Sequence, residues 1–519
     1  MTVDAGALLY LVLLVPLLGG GLCLLLPGIR SVLATLVLCV LGTTFASAAL
    51  GVTVFGGGPV HAAGSWFFLD ALSAYHLAVL QLVYLPSTVF AARYFACEAP
   101  LLRGSARRFG ALWLGSLGAM TLVLVSNHLG LMWVGIESTT LVTTFLISLP
   151  RSEMGTLEGF PNPPAMVRGQ PSWPAPHATK SSLEATWKYL IICSVGIAIA
   201  FMGILLVGAS ATRAVPHPSD LMLWTRLRES AALLDPALLK IAFLFLLVGY
   251  GTKVGLAPMH TWLPDAHSQA PAPVSAIFSG IMLNTALYCL MRYIPVIEAA
   301  TGHQGFCLRL LSLFGLLSML VAAAFILFQR DVKRLLAYHS VEHLGIITVA
   351  LGLGGLGTFA AMFHTLNHSV CKSLGFFCAG RLGQMYGTHD MRSMPGTLRH
   401  SPLWGTGLLL SLLALIGVVP FAVFMSELQI VKAAADSHRI AVLAIFLLAA
   451  GVVFIGAFGH ATAIAWGKPP AGARTQPARL VDVLLVIAPL LLLLLLGLWM
   501  PPPLRDVFEQ AARVIGPVK

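Results

Sequence analysis

The chain has 519 residues, of which 58% are hydrophobic and only 10% charged, and its mean hydropathy is +0.88. A soluble domain carries about 25% charged residues, so the composition excludes a soluble enzyme and points to a chain embedded in lipid. A net charge of +11 would suit a nucleic-acid binder in water, but here the basic residues lie in loops and at the ends of apolar runs, where they set topology, and no nucleic-acid partner is expected.

A bilayer crossing needs ~20 apolar residues. About fourteen such runs follow one another, near 5–26, 31–54, 69–93, 109–126, 128–149, 184–208, 237–257, 272–293, 308–328, 335–353, 357–380, 403–425, 440–465 and 481–499. The reading is an all-α polytopic membrane protein with the lipid bilayer as its first partner. No Lys or Arg precedes the first run and no small-residue cleavage site is obvious, so that run is read as a retained span. The tail after Trp499 holds no further span.

Loops after odd-numbered runs carry Arg103, Arg107, Arg108, Arg151, Arg168, Lys180, Arg330, Lys333, Arg334, Arg381, Arg392, Arg399, Lys468, Arg474 and Arg479. The opposite side carries fewer, so the odd loops are expected in the cytoplasm and both termini outside, in a cell inner membrane. The largest insertion, 150–183, is rich in Pro, Gly and Ser and is read as an irregular loop. The eight cysteines form no CxxC pair, so neither an iron–sulfur nor a zinc cradle is expected, and no cofactor.

Charges inside the apolar runs carry the functional signal. An ionised side chain at the bilayer centre costs ~2.5–3.5 kcal/mol on insertion scales and is tolerated against protein, water or a partner charge. Glu137 lies deep in the fifth run; its alternative is a neutral acid hydrogen-bonded to Ser or Thr. Lys253 stands just before a break at Pro258–Pro264 in GTKVGLAPMHTWLPD. Broken helices at membrane depth occur beside protein or water, so this is the layout of a wet ionisable site, with a snorkelling lysine as the alternative.

His339 and His343 are four apart in LLAYHSVEHLGII and share a helix face. They suit proton shuttling. HExxH is absent and no third ligand is obvious, so a metal is not expected. His364, His368 and Lys372 make one polar stripe in FHTLNHSVCKSLGFF, able to line a water wire or to hydrogen-bond between helices. Glu427 follows a second proline break in GVVPFAVFMSE, so break and ionisable group occur together twice. VGYG at 248–251 is like a potassium filter, but the nearby lysine would repel cations; no nucleotide-binding loop is present.

KVGLAPMHTWLPDAHSQAPAPVS, RDVKRLLAYHSVEHLGII and HTLNHSVCKSLGFF resemble the antiporter-like family. That family includes the large membrane subunits of respiratory complex I, the Mrp antiporters and the membrane arms of group 4 [NiFe] hydrogenases and formate hydrogenlyases. WKYLIICSVGIA and PFAVFMSE look most like the F-type subunit of the hydrogenase 4 group. The resemblance implies three N-terminal helices over 1–100 and two inverted five-helix repeats, 109–293 and 308–465, with helices 7 and 12 broken. A last helix and short tail cover 481–519.

It also implies that Glu137, Lys253, His343, Lys372 and Glu427 form a proton axis in which Glu137 and Lys253 are a charge pair. By their spacing His339, His364 and His368 are read as lining the same route, and Lys188, near a helix end, is either a further member or a snorkelling lysine. The departure is in helix 8, where complex I members often place a lysine or histidine and this chain has Ser279 and Asn284, which hold no proton charge, so that a proton would cross there by water, with Asn284 a further candidate on the axis. The function implied is a non-catalytic proton-translocating subunit, beside other membrane subunits and a peripheral redox module. The alternatives are a sodium/proton antiporter module, or a structural arm of another complex such as inorganic-carbon uptake.

Overall fold

A computed structural model describes residues 5–97, 103–149, 180–470 and 477–516. The inserted loop lies outside them up to residue 179; its last residues open a helix instead. In lipid every backbone polar group must find a partner within the chain, so the apolar runs become helices. The first are α1 (Ala5–Leu25), α2 (Ile29–Gly57), α3 (Ala71–Cys97), α4 (Arg103–Val125), α5 (Leu129–Ile147) and α6 (Lys180–Ala211). An antiparallel hairpin, β1 (Val60–Ala62) and β2 (Phe67–Leu69), links α2 to α3 with Val60 opposite Leu69.

A short α7 (Trp224–Glu229) precedes α8 (Pro236–Val254), α9 (Trp262–Gln269) and α10 (Ala272–Ile277). One π turn, Phe278–Met282, joins α10 to α11 (Leu283–Ala300). Then come α12 (Phe306–Ile326), α13 (Val332–Leu353), α14 (Leu356–Tyr386), the short α15 (Thr397–His400), α16 (Pro402–Leu415), α17 (Ala422–Asp436), α18 (Ile440–Ala465), α19 (Leu480–Leu498) and α20 (Pro502–Ile515).

Twelve helical stretches among the described residues are long and apolar enough to cross a membrane. α14 has the length, with 31 residues, but its polar stripe keeps it off that count. The most apolar stretches of Ala272–Ala300 and Val332–Leu353 are wholly buried, whereas that of Ile440–Ala465 is 22% buried. The first two therefore stand at the centre of the bundle, and the last turns its leucines and phenylalanines to lipid.

Small residues let the central helices approach. A Cβ on Gly315 of α12 would come 2.7 Å from the Gly345 carbonyl oxygen of α13, and one on Gly345 would come 2.8 Å from that of Gly315. Backbone contact of this kind replaces the hydrophobic driving force that lipid removes. Asp331 caps α13 by accepting from the Arg334 N–H at 2.8 Å.

Two further features organise the bundle. Asp70, just before α3, accepts from Nη1 and Nη2 of Arg292, at 2.6 and 2.7 Å, and Arg292 also donates to Ser73 and, from Nε at 2.8 Å, to the Tyr288 hydroxyl. Burial alone would raise the Asp70 carboxyl; the Arg292 guanidinium outweighs it and holds the carboxyl below its ordinary value. The tail forms the amphipathic α20, whose Phe508 packs among Tyr75, Phe359 and Phe363. At 14 residues it is too short to span.

Candidate functional site

Both breaks are built alike. Gly255 (φ 84°) and Gly417 (φ 69°) take the left-handed conformation, and each stands three residues before a proline whose peptide bond is cis. Ten residues beyond each glycine is an acid, Asp265 on α9 and Glu427 on α17. Lys253 precedes its break while Glu427 follows its own; by distance from the glycine, Asp265 is the acid that matches Glu427. This recurrence was hidden in GLAP and GVVP.

Lys253 is fully buried. Its Nζ donates to Thr140 Oγ1 at 2.8 Å and to the Tyr189 hydroxyl at 2.6 Å. Tyr189 shares a 2.7 Å hydrogen bond with Thr143. Glu137 sits one turn before Thr140 on α5, and its Oε1 accepts from Ser194 at 2.7 Å. Among the described residues no ion pair joins Glu137 to Lys253; each is hydrogen-bonded separately, Glu137 of α5 to Ser194 of α6 and Lys253 of α8 to Thr140 of α5. Thr and Ser hydroxyls intervene because α5 presents its Thr-rich face to α6 and α8.

The centre is neutral but polar. Ser279, in the π turn, shares a 2.7 Å hydrogen bond with Ser340 of α13. Ser340 donates to the Leu336 carbonyl at 3.2 Å, and Lys372 of α14 donates to that same oxygen at 2.6 Å. Asn284 donates to Gly280 O at 3.1 Å and to Ser369 at 3.0 Å. A chain of hydrogen bonds thus runs from the π turn to Lys372, which is fully buried.

Beyond Lys372 the histidines gather. His339 Nδ1 lies 2.8 Å from Glu342 Oε2. His343 Nδ1 lies 2.8 Å from His364 Nε2, and His364 Nδ1 lies 2.9 Å from Ser426, the neighbour of Glu427. The His368 ring is 5.4 Å from that of His343, and neither of its nitrogens has a partner among the described residues. The third ligand not seen in the sequence is present twice: His339, Glu342 and His343, and His343, His364 and Glu427, each bring ligand atoms within 4.8 Å of one another.

Lys188 does not join the buried row. It is 43% exposed and pairs with Glu184 at 2.6 Å and Asp265 at 3.1 Å. Arg334 of α13 meets Asp265 from the other side at 2.9 Å. Glu342 was legible as the i+3 partner of His339 in HSVEH. Tyr189, Ser194 and Ser426 carried no local signal, since their partners lie 64, 57 and 62 residues away.

Fold and site together define a polytopic membrane protein with two broken helices and a row of buried ionisable side chains across its centre. The family described as NADH:quinone oxidoreductase/Mrp antiporter, TM, matches residues 176–453. The chain is 36% identical over 454 residues to a hydrogenase-4 component F homolog of Methylacidiphilum infernorum, covering 86% of this chain and 88% of that protein. The chain belongs to this antiporter-like family. Its fold matches a chain of the membrane-bound sulfane sulfur reductase, an archaeal respiratory membrane complex, with a TM-score of 0.82, 23% identity and coverage of 99% and 98%. It also matches a chain of the Mrp complex from Dietzia sp. DQ12-45-1b, with a TM-score of 0.81, 22% identity and coverage of 99% and 97%.

Proposed function

We propose that the chain is a proton-translocating subunit of a multi-subunit membrane complex, carrying protons along Glu137, Lys253, Lys372, His343 and Glu427, with His339, His364 and His368 lining the second half. The observation that carries this is the bonding of the two buried lysines. Lys253 and Lys372 are held by hydroxyls and a carbonyl, not by carboxylates. A lysine locked to a carboxylate keeps its proton, whereas one held by neutral acceptors can give it up when its surroundings shift.

Reading α14 and the interrupted α16–α17 as crossings beside the twelve apolar stretches gives the fourteen helices of the proposed architecture, with repeats over 109–293 and 308–465. The basic loops support termini outside a cell inner membrane. A peripheral redox module would supply the driving force. Moving one charge through 100 mV takes ~2.3 kcal/mol.

The test is the purified complex in proteoliposomes with a pH-sensitive dye, driven by its redox substrate or by a potassium diffusion potential. Proton flux that falls at least tenfold in Lys253→Ala or Lys372→Ala, with assembly intact, supports the reading. No flux under either drive in the native complex overturns it and leaves a structural arm, for example of a carbon-uptake system. The Mrp likeness favours a second reading, sodium/proton exchange, which requires a pH change that depends on a sodium gradient.

A further inference from the structure

We infer that His267 carries the proton between the two halves, in place of the ionisable side chain that Ser279 and Asn284 do not provide. This rests on the proton-translocating reading above. His267 lies on α9, beyond the first break, and is fully buried. Its Nδ1 is 2.9 Å from the Leu263 carbonyl oxygen, which can only accept, so Nδ1 bears the hydrogen and Nε2 offers a lone pair. Nε2 has no partner among the described residues. A buried basic nitrogen left open is costly unless water or a proton uses it.

The ring's neighbours fix its place. Tyr189, which holds Lys253, packs against Trp262 at 5.0 Å and Phe278 at 5.9 Å. His267 packs against the same two rings, at 6.1 and 5.8 Å, and against Phe376 at 6.0 Å. Phe376 is one helical turn beyond Lys372 on α14. His267 therefore stands between the lysine of the first half and that of the second. The charges facing it are Lys372 from α14 and Lys333 from α13.

The step balances without a co-reactant. Lys253 releases a proton through water to His267 Nε2, giving a neutral amine and an imidazolium whose Nδ1–H stays on the Leu263 carbonyl. The same Nε2 then returns the proton to the neutral amine of Lys372, which becomes ammonium.

The experiment uses the native complex in proteoliposomes under a potassium diffusion potential, with flux measured from pH 5 to pH 9. His267→Gln keeps a polar side chain but no proton carrier; flux should fall at least tenfold while assembly and thermal stability hold. His267→Lys should recover part of the flux with its pH profile displaced to alkaline values, which a packing role would not produce. His267→Asn replaces the glutamine variant if that one fails to assemble. Native flux and an unchanged pH profile in the neutral variants, with Lys253→Ala still blocked, overturns the relay and leaves the axis standing. Native flux in Lys253→Ala as well would bring down the axis itself.

Discussion

Lys253 is held by Tyr189 and not by Glu137: its Nζ is 2.6 Å from the phenol oxygen and 4.6 Å from the ring centre, while Glu137 is taken by Ser194. Tyr189→Phe keeps the ring and removes the acceptor. Losing one hydrogen bond to a charged group costs about 1.5–3 kcal/mol, and the low end of that range corresponds to about a tenfold effect. Proton flux in Tyr189→Phe should fall by about that factor, and Thr140→Val should fall less, because Tyr189 still holds the ammonium. Equal, native-like flux in both variants would show that these bonds do not govern Lys253.

Gly417 is a sharper probe of the second break. A Cβ there would strike Glu427 Oε2, and a left-handed φ of 69° costs an L-residue about 1–2 kcal/mol. Gly302 has nearly the same φ, 67°, and a Cβ there would meet only open space, with nothing within 4 Å. Gly302→Ala and Gly417→Ala should lower the melting temperature through the same strain, but only Gly417→Ala should also cut proton flux. Flux tracking stability alike in both variants would dissociate Glu427 from transport.

The Asp70–Arg292 pair is a stability element with a pH signature. Removing one partner leaves a buried charge alone, so Arg292→Met should cost about 3–5 kcal/mol. Because the folded Asp70 carboxyl lies below its unfolded value of about 3.9, its stabilisation is full above that pH and is lost as pH falls through the folded value. Thermal melts between pH 3 and pH 7 should show a steeper acid loss in the native protein than in Asp70→Asn, where the slope from this group disappears.

The C-terminal helix docks through one ring. Phe508 is fully buried among three aromatic neighbours, so Phe508→Ala should destabilise by about 3–5 kcal/mol. Limited proteolysis should then release a C-terminal fragment that the native protein retains. Protection equal to the native would mean that Ala511, Ala512 and Ile515 suffice to hold the helix.

Much of this architecture was readable from hydropathy. The run at 335–353 became Val332–Leu353, and the stretch at 440–465 became Ile440–Ala465, because apolar length alone decides a crossing. The stripe of His364, His368 and Lys372 was readable because helical spacing puts them on one side. What escaped depends on contacts between distant segments. Nothing near Lys253 says that its acceptor is a tyrosine on α6, and nothing in FSGIM marks a π turn, since both follow from packing. α20 escaped because hydropathy reports mean apolarity, and an amphipathic helix hides its buried face in that mean.

Asp265 stands between Lys188 of α6 and Arg334 of α13, one cation from each half gripping a single carboxylate on the short helix after the first break. A shared counter-ion makes any coupling between the two cations reciprocal. Any free energy by which Arg334 biases the position of α9 must act back, in equal measure, on whatever sets Arg334. On the proton-translocating reading proposed above, reversing the load should therefore run the chain backwards.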